Sequence, residues 1–231
     1  MYTDCKSAKA DNKFMKHFLI RIVNMMIGTL LYALGIVFTL KANIGYAPWE
    51  VFHVGLADTI GLSIGVTAII AGLIILLIVT LLGEKLGIGT IASTVLTGIF
   101  LDVILFLNMI PVANTVISGS IMMVFGLFII ALGSYYYIKS SFGVGPRDNL
   151  MVVLAKKIKI PVGICRSIIE LLVTTIGWLL GGMVGFGTLL FVIAIGFCIQ
   201  ITFKAFKFDV TTVKHESLID TCLALAGKKK F

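Results

Sequence analysis

Five ionisable side chains lie in or beside long apolar runs, where a charge is costly unless it has a partner or a function. Asp102 falls inside the third run, and Arg166 and Glu170 lie one helical turn apart in the fifth. Glu50 and Asp148 each follow a short polar break between two runs. Charges of both signs at such positions favour the binding of a small solute or ion. We therefore take these five residues as candidate substrate- or ion-binding residues.

Simpler explanations apply to each of them. Asp102 lies about one turn from the outer end of its run, so its carboxylate could face water. Arg166 and Glu170 have the spacing of a self-neutralising helical pair. Glu50 and Asp148 follow a proline by two residues, where an acid stabilises the positive end of a helix.

The two breaks share one pattern. Residues 41–50 and 139–148 both read Lys, three residues, Gly, two residues, Pro, one residue, acid. Proline suits the first position of a helix because its φ is fixed and its missing N–H is not needed there. The sequence therefore predicts helix breaks with a gating role at Gly45, Pro48, Gly143 and Pro146. Trp49 and His53, just after the first break, are expected at the membrane surface.

No catalytic or metal-binding constellation is present in the sequence. The three histidines, at positions 17, 53 and 215, are far apart, and none has a cysteine or acid at metal-ligand spacing. The glycine-rich turns lack the Gly-Lys-Ser/Thr ending of a phosphate-binding loop. We expect neither enzymatic activity nor a cofactor or metal ion.

Composition predicts an all-α, polytopic membrane protein. The 231 residues are 59% hydrophobic and 13% charged, with a mean hydropathy of +1.10. Several apolar runs approach the roughly 20 residues that cross a bilayer. We predict six spans and two short helices after the breaks: spans 18–40, 64–82, 88–107, 119–138, 163–180 and 188–203, and short helices 49–60 and 149–160.

An internal repeat divides the chain. Residues 25–105 match residues 123–203 without gaps, and four glycines at 28, 35, 65 and 98 recur at 126, 133, 163 and 196. Each unit holds three spans, so the second enters the membrane inverted. The predicted divisions are a basic tail (1–17), a first repeat (18–118), an inverted second repeat (119–207) and a polar tail (208–231).

Lys and Arg residues predict the orientation. Most of the 19 lie in the two tails and in the loops between spans 2 and 3 and between spans 4 and 5, which are all on one side of a six-span protein. The positive-inside rule therefore places both termini in the cytoplasm. The break at 41–50 is then expected outside and the break at 139–148 inside. The net charge of +8 arises from these segments, so the lipid bilayer, and not nucleic acid, is the expected partner.

The segment Gly45-Tyr-Ala-Pro-Trp-Glu-Val-Phe-His-Val-Gly-Leu56, followed by Gly61-Leu-Ser-Ile-Gly65, resembles the bacterial YczE/YyaS/YitT membrane-protein family. Its YczE-like members carry a similar G-x-x-P-W-[DE]-x-x-x-x-G-L pattern, in which the acid is often Asp and here is Glu50. The resemblance implies a multi-pass protein of the bacterial plasma membrane. It implies little about chemistry.

Three functional hypotheses remain. Inverted repeats with interrupted helices favour a secondary transporter of a small solute, driven by an ion gradient. A regulatory or scaffold protein would instead use its basic tails and the segment 139–162 to hold a cytoplasmic protein partner. A substrate-capture subunit of an ATP-driven importer would co-purify with an ATPase. A homodimer is compatible with each of them.

Overall fold

The structure is a computed structural model that describes residues 2–84, 87–143 and 145–208, with side chains from Met15 onward except those of residues 17 and 88. Over these ranges the chain forms eight α-helices and no strand, which confirms the predicted all-α class. The helices are α1 (Tyr2–Lys41), α2 (Pro48–Ile60), α3 (Ile64–Leu81), α4 (Ile88–Leu107), α5 (Val116–Lys139), α6 (Pro146–Ile158), α7 (Val162–Leu179) and α8 (Phe186–Ala205).

Six of these helices are long and apolar enough to cross a membrane: α1 from Phe18 onward, α3, α4, α5, α7 and α8. Their bounds agree with the predicted spans to within three residues. Helix α1 begins at Tyr2, so it extends through the predicted basic tail (1–17). The predicted C-terminal tail lies almost wholly outside the described residues.

Helices α1 and α5 form the centre of the bundle, and glycines let their backbones touch. A Cβ atom at Gly35 would lie 2.8 Å from the carbonyl oxygen of Gly126, and one at Gly133 would lie 2.8 Å from that of Gly28. Small residues of this kind allow helices to approach closely in lipid, where no hydrophobic effect drives them together. The glycines therefore position every helix that packs on α1 or α5.

The other helices pack around this pair. Helix α4 packs on α1, and α8 packs on α5. The short helix α2 packs on α7 and α3, and the short helix α6 packs on α3 and α7. A buried apolar cluster between the short helices and α3 and α7 includes Val79, Val153 and Ile169.

The chain breaks between α1 and α2 and between α5 and α6 as predicted. Gly45 has φ +116° and Gly143 has φ +141°, conformations that side-chain-bearing residues rarely adopt. Pro48 and Pro146 begin the helices that follow. The carbonyl of Ile44, inside the first break, accepts a 2.7 Å hydrogen bond from the amide of Gly187 in α8.

Substituting Gly35 with alanine tests the central helix contact. The added methyl would meet the Ile130 side chain at 2.6 Å and the Gly126 carbonyl at 2.8 Å, so we expect destabilisation of about 1–3 kcal/mol. Thermal unfolding of the purified protein in detergent measures the change.

Gly196→Ala in α8 is the matched control. A Cβ atom there would meet no described atom within 4 Å, so the variant should keep or slightly raise the wild-type melting temperature. Equal melting temperatures for the two variants would contradict the glycine contact.

Candidate functional site

A cavity of about 230 Å³ lies at the centre of the helix bundle. Its walls include residues from the middle of α1, α3, α4, α5 and α8, together with the first turns of the two short helices α2 and α6 and residues of α7. Five of its lining residues are aspartate, glutamate or arginine: Glu50, Arg147, Asp148, Arg166 and Glu170. Four of the five predicted binding residues are therefore brought together.

The first turns of α2 and α6 meet at this cavity. Oε1 of Glu50 lies 3.3 Å from Nη1 of Arg147 and 3.4 Å from its Nη2. The expectation that Glu50 and Asp148 lie on opposite faces of the membrane is therefore wrong.

The chain path explains this difference. Nζ of Lys41 donates to Asn108 at the C-terminal end of α4, whereas the chain at Phe142 lies against Gly89 at its N-terminal end. The two breaks thus begin at opposite ends of α4, and each turns back into the bundle. As a result, the first turns of α2 and α6 lie level with the central turns of the long helices.

Arg147 joins the two short helices through a second contact. Its guanidinium carbon lies 4.9 Å from the centre of the Trp49 ring, a cation–π arrangement. The Glu50 side chain is 5% exposed and that of Arg147 is 24% exposed, so the ion pair is largely shielded from water. The pair therefore joins the beginnings of two helices that are far apart in sequence.

Arg166 and Glu170 form the ion pair that their spacing predicted. Nε of Arg166 donates to Oε1 of Glu170 at 2.8 Å along α7. Both residues line the cavity. The wall contributed by α7 therefore carries a charge pair that is already neutralised.

Asp148 lines the same cavity and differs from the other carboxylates. It is exposed to the cavity, and among the described residues its side chain forms neither a hydrogen bond nor an ion pair. Two further lining side chains are buried, and their ring nitrogens form no hydrogen bond within the described ranges. Trp49, which is 7% exposed, has no acceptor for its buried Nε1, and His53, which is 3% exposed, forms ring contacts but no hydrogen bond.

Asp102 is not among the residues that line the cavity. Its Oδ1 accepts a 2.7 Å hydrogen bond from the amide of Gly65, and its Oδ2 accepts one of 2.5 Å from the hydroxyl of Ser63. Ser63 and Gly65 lie at the start of α3, where backbone amides need acceptors. In this structure Asp102 therefore connects α4 to the beginning of α3, apart from the other candidates.

Sequence reasoning missed three residues of the site. Arg147 stands at the position in the second repeat that Trp49 occupies in the first, so the break pattern itself contained it. Trp49 and His53 were expected at the membrane surface but are buried at the cavity. Their position directly after the first break was the available indication.

Within the described ranges, no cluster of three or more His, Cys, Asp or Glu side chains could hold a metal ion.

Comparison with known proteins identifies relatives that are themselves uncharacterised. Residues 19–204 match a family of unknown function, DUF6198. The chain is 33% identical over 176 residues to the uncharacterised membrane protein YczE of Bacillus subtilis. The aligned region covers 75% of this chain and 80% of YczE. An uncharacterised protein of Haemophilus influenzae is 31% identical over 179 residues, covering 75% of this chain and 81% of the relative. No solved structure matches significantly.

A double-mutant cycle measures the ion pair between the short helices. Glu50→Gln, Arg147→Gln and the double variant should give a coupling of roughly 1–3 kcal/mol, because each single change leaves a shielded charge without its partner. Unfolding free energies of the purified variants provide the measurement.

Glu84 and Lys156 supply the control pair. Their side chains lie 2.8 Å apart but are 36% and 65% exposed, so the same cycle should give less than about 1 kcal/mol. A coupling at Glu50 and Arg147 no larger than the control would show that the two helix starts are not joined there.

Proposed function

Because the chain belongs to the DUF6198 family of membrane proteins, whose function is unknown, we propose from its own site that it is a small secondary transporter. Its cavity is reached alternately from the two sides of the membrane. The observation that carries this proposal is the central cavity that is lined by the helix beginnings after both chain breaks. Charged side chains inside a membrane bundle are costly and mark solute or ion pathways.

The size of the cavity favours a small solute. At about 230 Å³ it is below the roughly 300–1,000 Å³ typical of drug-sized ligand sites. Its walls combine apolar groups with a few polar side chains, as binding sites do. Secondary transporters also characteristically have discontinuous helices whose ends meet at a binding site near the middle of the membrane.

Equivalent contacts in the two halves support the inverted-repeat arrangement. The contact between Gly28 and Gly133 has its repeat equivalent in the contact between Gly126 and Gly35. Gly45 lies against Thr188, and its equivalent Gly143 lies against Thr90, the equivalent of Thr188. Likewise α2 packs on α7, and α6 packs on α3. A two-fold relation between halves of three spans each accounts for all of these pairs.

One set of equivalent contacts differs between the halves. Helices α3 and α4 are in close contact where Gly65 and Gly98 meet, such that a Cβ atom on Gly65 would overlap the Gly98 carbonyl oxygen. At the equivalent Gly163 and Gly196, a Cβ atom would meet no described atom within 4 Å. Helices α7 and α8 accordingly lack comparable packing within the described part of the chain.

This difference suggests how the cavity alternates. In the present state the bundle is closed between α3 and α4 and open between α7 and α8. In the other state, α7 and α8 would close through Gly163 and Gly196 while α3 and α4 separate. Exchange of conformation between inverted repeats moves the opening from one side of the membrane to the other.

Two-sided labelling of a cavity residue tests the proposal without knowledge of the solute. Ser134 lines the cavity, and Ser134→Cys is introduced into a chain whose four native cysteines are replaced. Sealed vesicles of each orientation are treated with a membrane-impermeant thiol reagent. Alternating access predicts labelling of position 134 from both sides.

Asn114→Cys is the matched control because Asn114 is exposed in the loop before α5. It should be labelled from one side only, which also verifies that the vesicles are sealed. Labelling of position 134 from one side alone, with this control intact, would overturn the transporter proposal.

Two further variants, each combined with Ser134→Cys, should shift the labelling in opposite directions. Gly196→Ala would prevent α7 and α8 from closing, so labelling of position 134 should rise from the side that is open in this structure and fall from the other. Asp102→Ala would remove the acceptor that joins α4 to α3 and should shift labelling the other way. Unchanged labelling in both variants would contradict the proposed movement.

A further inference from the structure

Not every charged side chain that lines the cavity is paired with one of opposite charge. Arg147 is paired with Glu50, and Arg166 is paired with Glu170. Asp148 is left without an ion pair or hydrogen bond among the described residues, and its side chain is exposed to the cavity. The cavity therefore carries one carboxylate whose charge no direct partner offsets.

We propose that the cavity binds a small organic ammonium compound, with its cationic group against Asp148 and among the aromatic side chains of Tyr32, Trp49 and Tyr137. This inference rests on the proposed transport function, because it names the class of solute that the same cavity would take. Its charge and size follow from the unpaired carboxylate and from the cavity volume of about 230 Å³.

Aromatic side chains suit this occupant. Tyr32, Trp49 and Tyr137 line the cavity together with Asp148, and aromatic faces attract ammonium groups. His53 also lines the cavity and forms no hydrogen bond within the described ranges, so its ring adds a polar contact for the solute.

An anionic solute fits the same walls less well. The beginnings of α2 and α6 have no side-chain cap, and their amides would attract an anion. However, each of these helices carries an acid in its first turn, Glu50 or Asp148. Both guanidinium groups that face the cavity already contact a carboxylate. An anion would therefore meet Asp148 without any cation that is free to compensate it.

Three solutes of nearly equal size separate these possibilities. Ethanolamine is an ammonium alcohol at neutral pH, ethylene glycol is its neutral counterpart, and glycolate is its anionic counterpart. Each is titrated at constant ionic strength into the purified full-length chain carrying Trp178→Phe. Trp178 is 61% exposed and does not line the cavity, so its removal leaves Trp49 as the only tryptophan whose emission is followed.

We expect ethanolamine to change the Trp49 emission saturably and to raise the melting temperature, with little effect of the other two solutes. Asp148→Asn should weaken ethanolamine binding roughly tenfold to a hundredfold, because a charge-assisted contact is lost. Glu84→Gln removes an acid whose side chain lies outside the cavity and should leave the affinity unchanged.

Four results would overturn the proposal. These are stronger binding of glycolate, equal stabilisation by sodium ions, undiminished binding by Asp148→Asn, or no response of either emission or melting temperature to ethanolamine. The titration of the Trp178→Phe chain without further changes decides whether the preferred solute is a cation or an anion, even if a further variant fails to fold. Two-sided labelling of the Ser134→Cys variant remains independent of this result, so failure of the ligand class and failure of transport are distinguishable.

Discussion

The close approach of α1 and α5 is the constraint on which the rest of the molecule depends. Glycine backbones at Gly28, Gly35, Gly126 and Gly133 bring the two helices into contact. Each helix of this pair carries one chain break at its C-terminal end and holds one further long helix, α4 or α8. Wider separation of α1 and α5 would move both breaks apart and open the cavity between them. The site is thus a product of backbone contact more than of side-chain packing.

Non-helical backbone at the depth of a membrane is tolerated only where its polar groups find partners or line a cavity. Both solutions are present here. The carbonyl of Ile44 is bonded to the amide of Gly187, and the amide of Tyr46 donates to the carbonyl of Met183. The uncapped beginnings of α2 and α6 face the cavity. The first break is therefore held by α8 and by the loop before it, and the beginnings of α2 and α6 line the cavity.

Local features of the site were predictable from sequence, and long-range ones were not. The apolar runs predicted the six candidate spans, and the two prolines predicted the starts of α2 and α6. The spacing of four residues predicted the ion pair between Arg166 and Glu170. The pairing of Glu50 with Arg147 joins residues 97 positions apart and depends on both breaks turning back into the bundle. For Asp102 the sequence left open a water-facing carboxylate or a binding residue, and its contact with the start of α3 depends on how α4 packs on α3.

The hydrogen bonds of Asp102 are present in one half of the molecule only. Its repeat equivalent is Gln200, which is exposed and forms no such bonds within the described ranges. Two alternating states of this chain would therefore differ in free energy. Hydrogen bonds to a charged group contribute about 1.5–3 kcal/mol each, and about 1.4 kcal/mol changes a population tenfold. If the chain alternates as proposed, the empty protein would rest mainly in the state with α3 closed on α4, and a solute or ion that binds the opposite state more tightly would shift the population toward it.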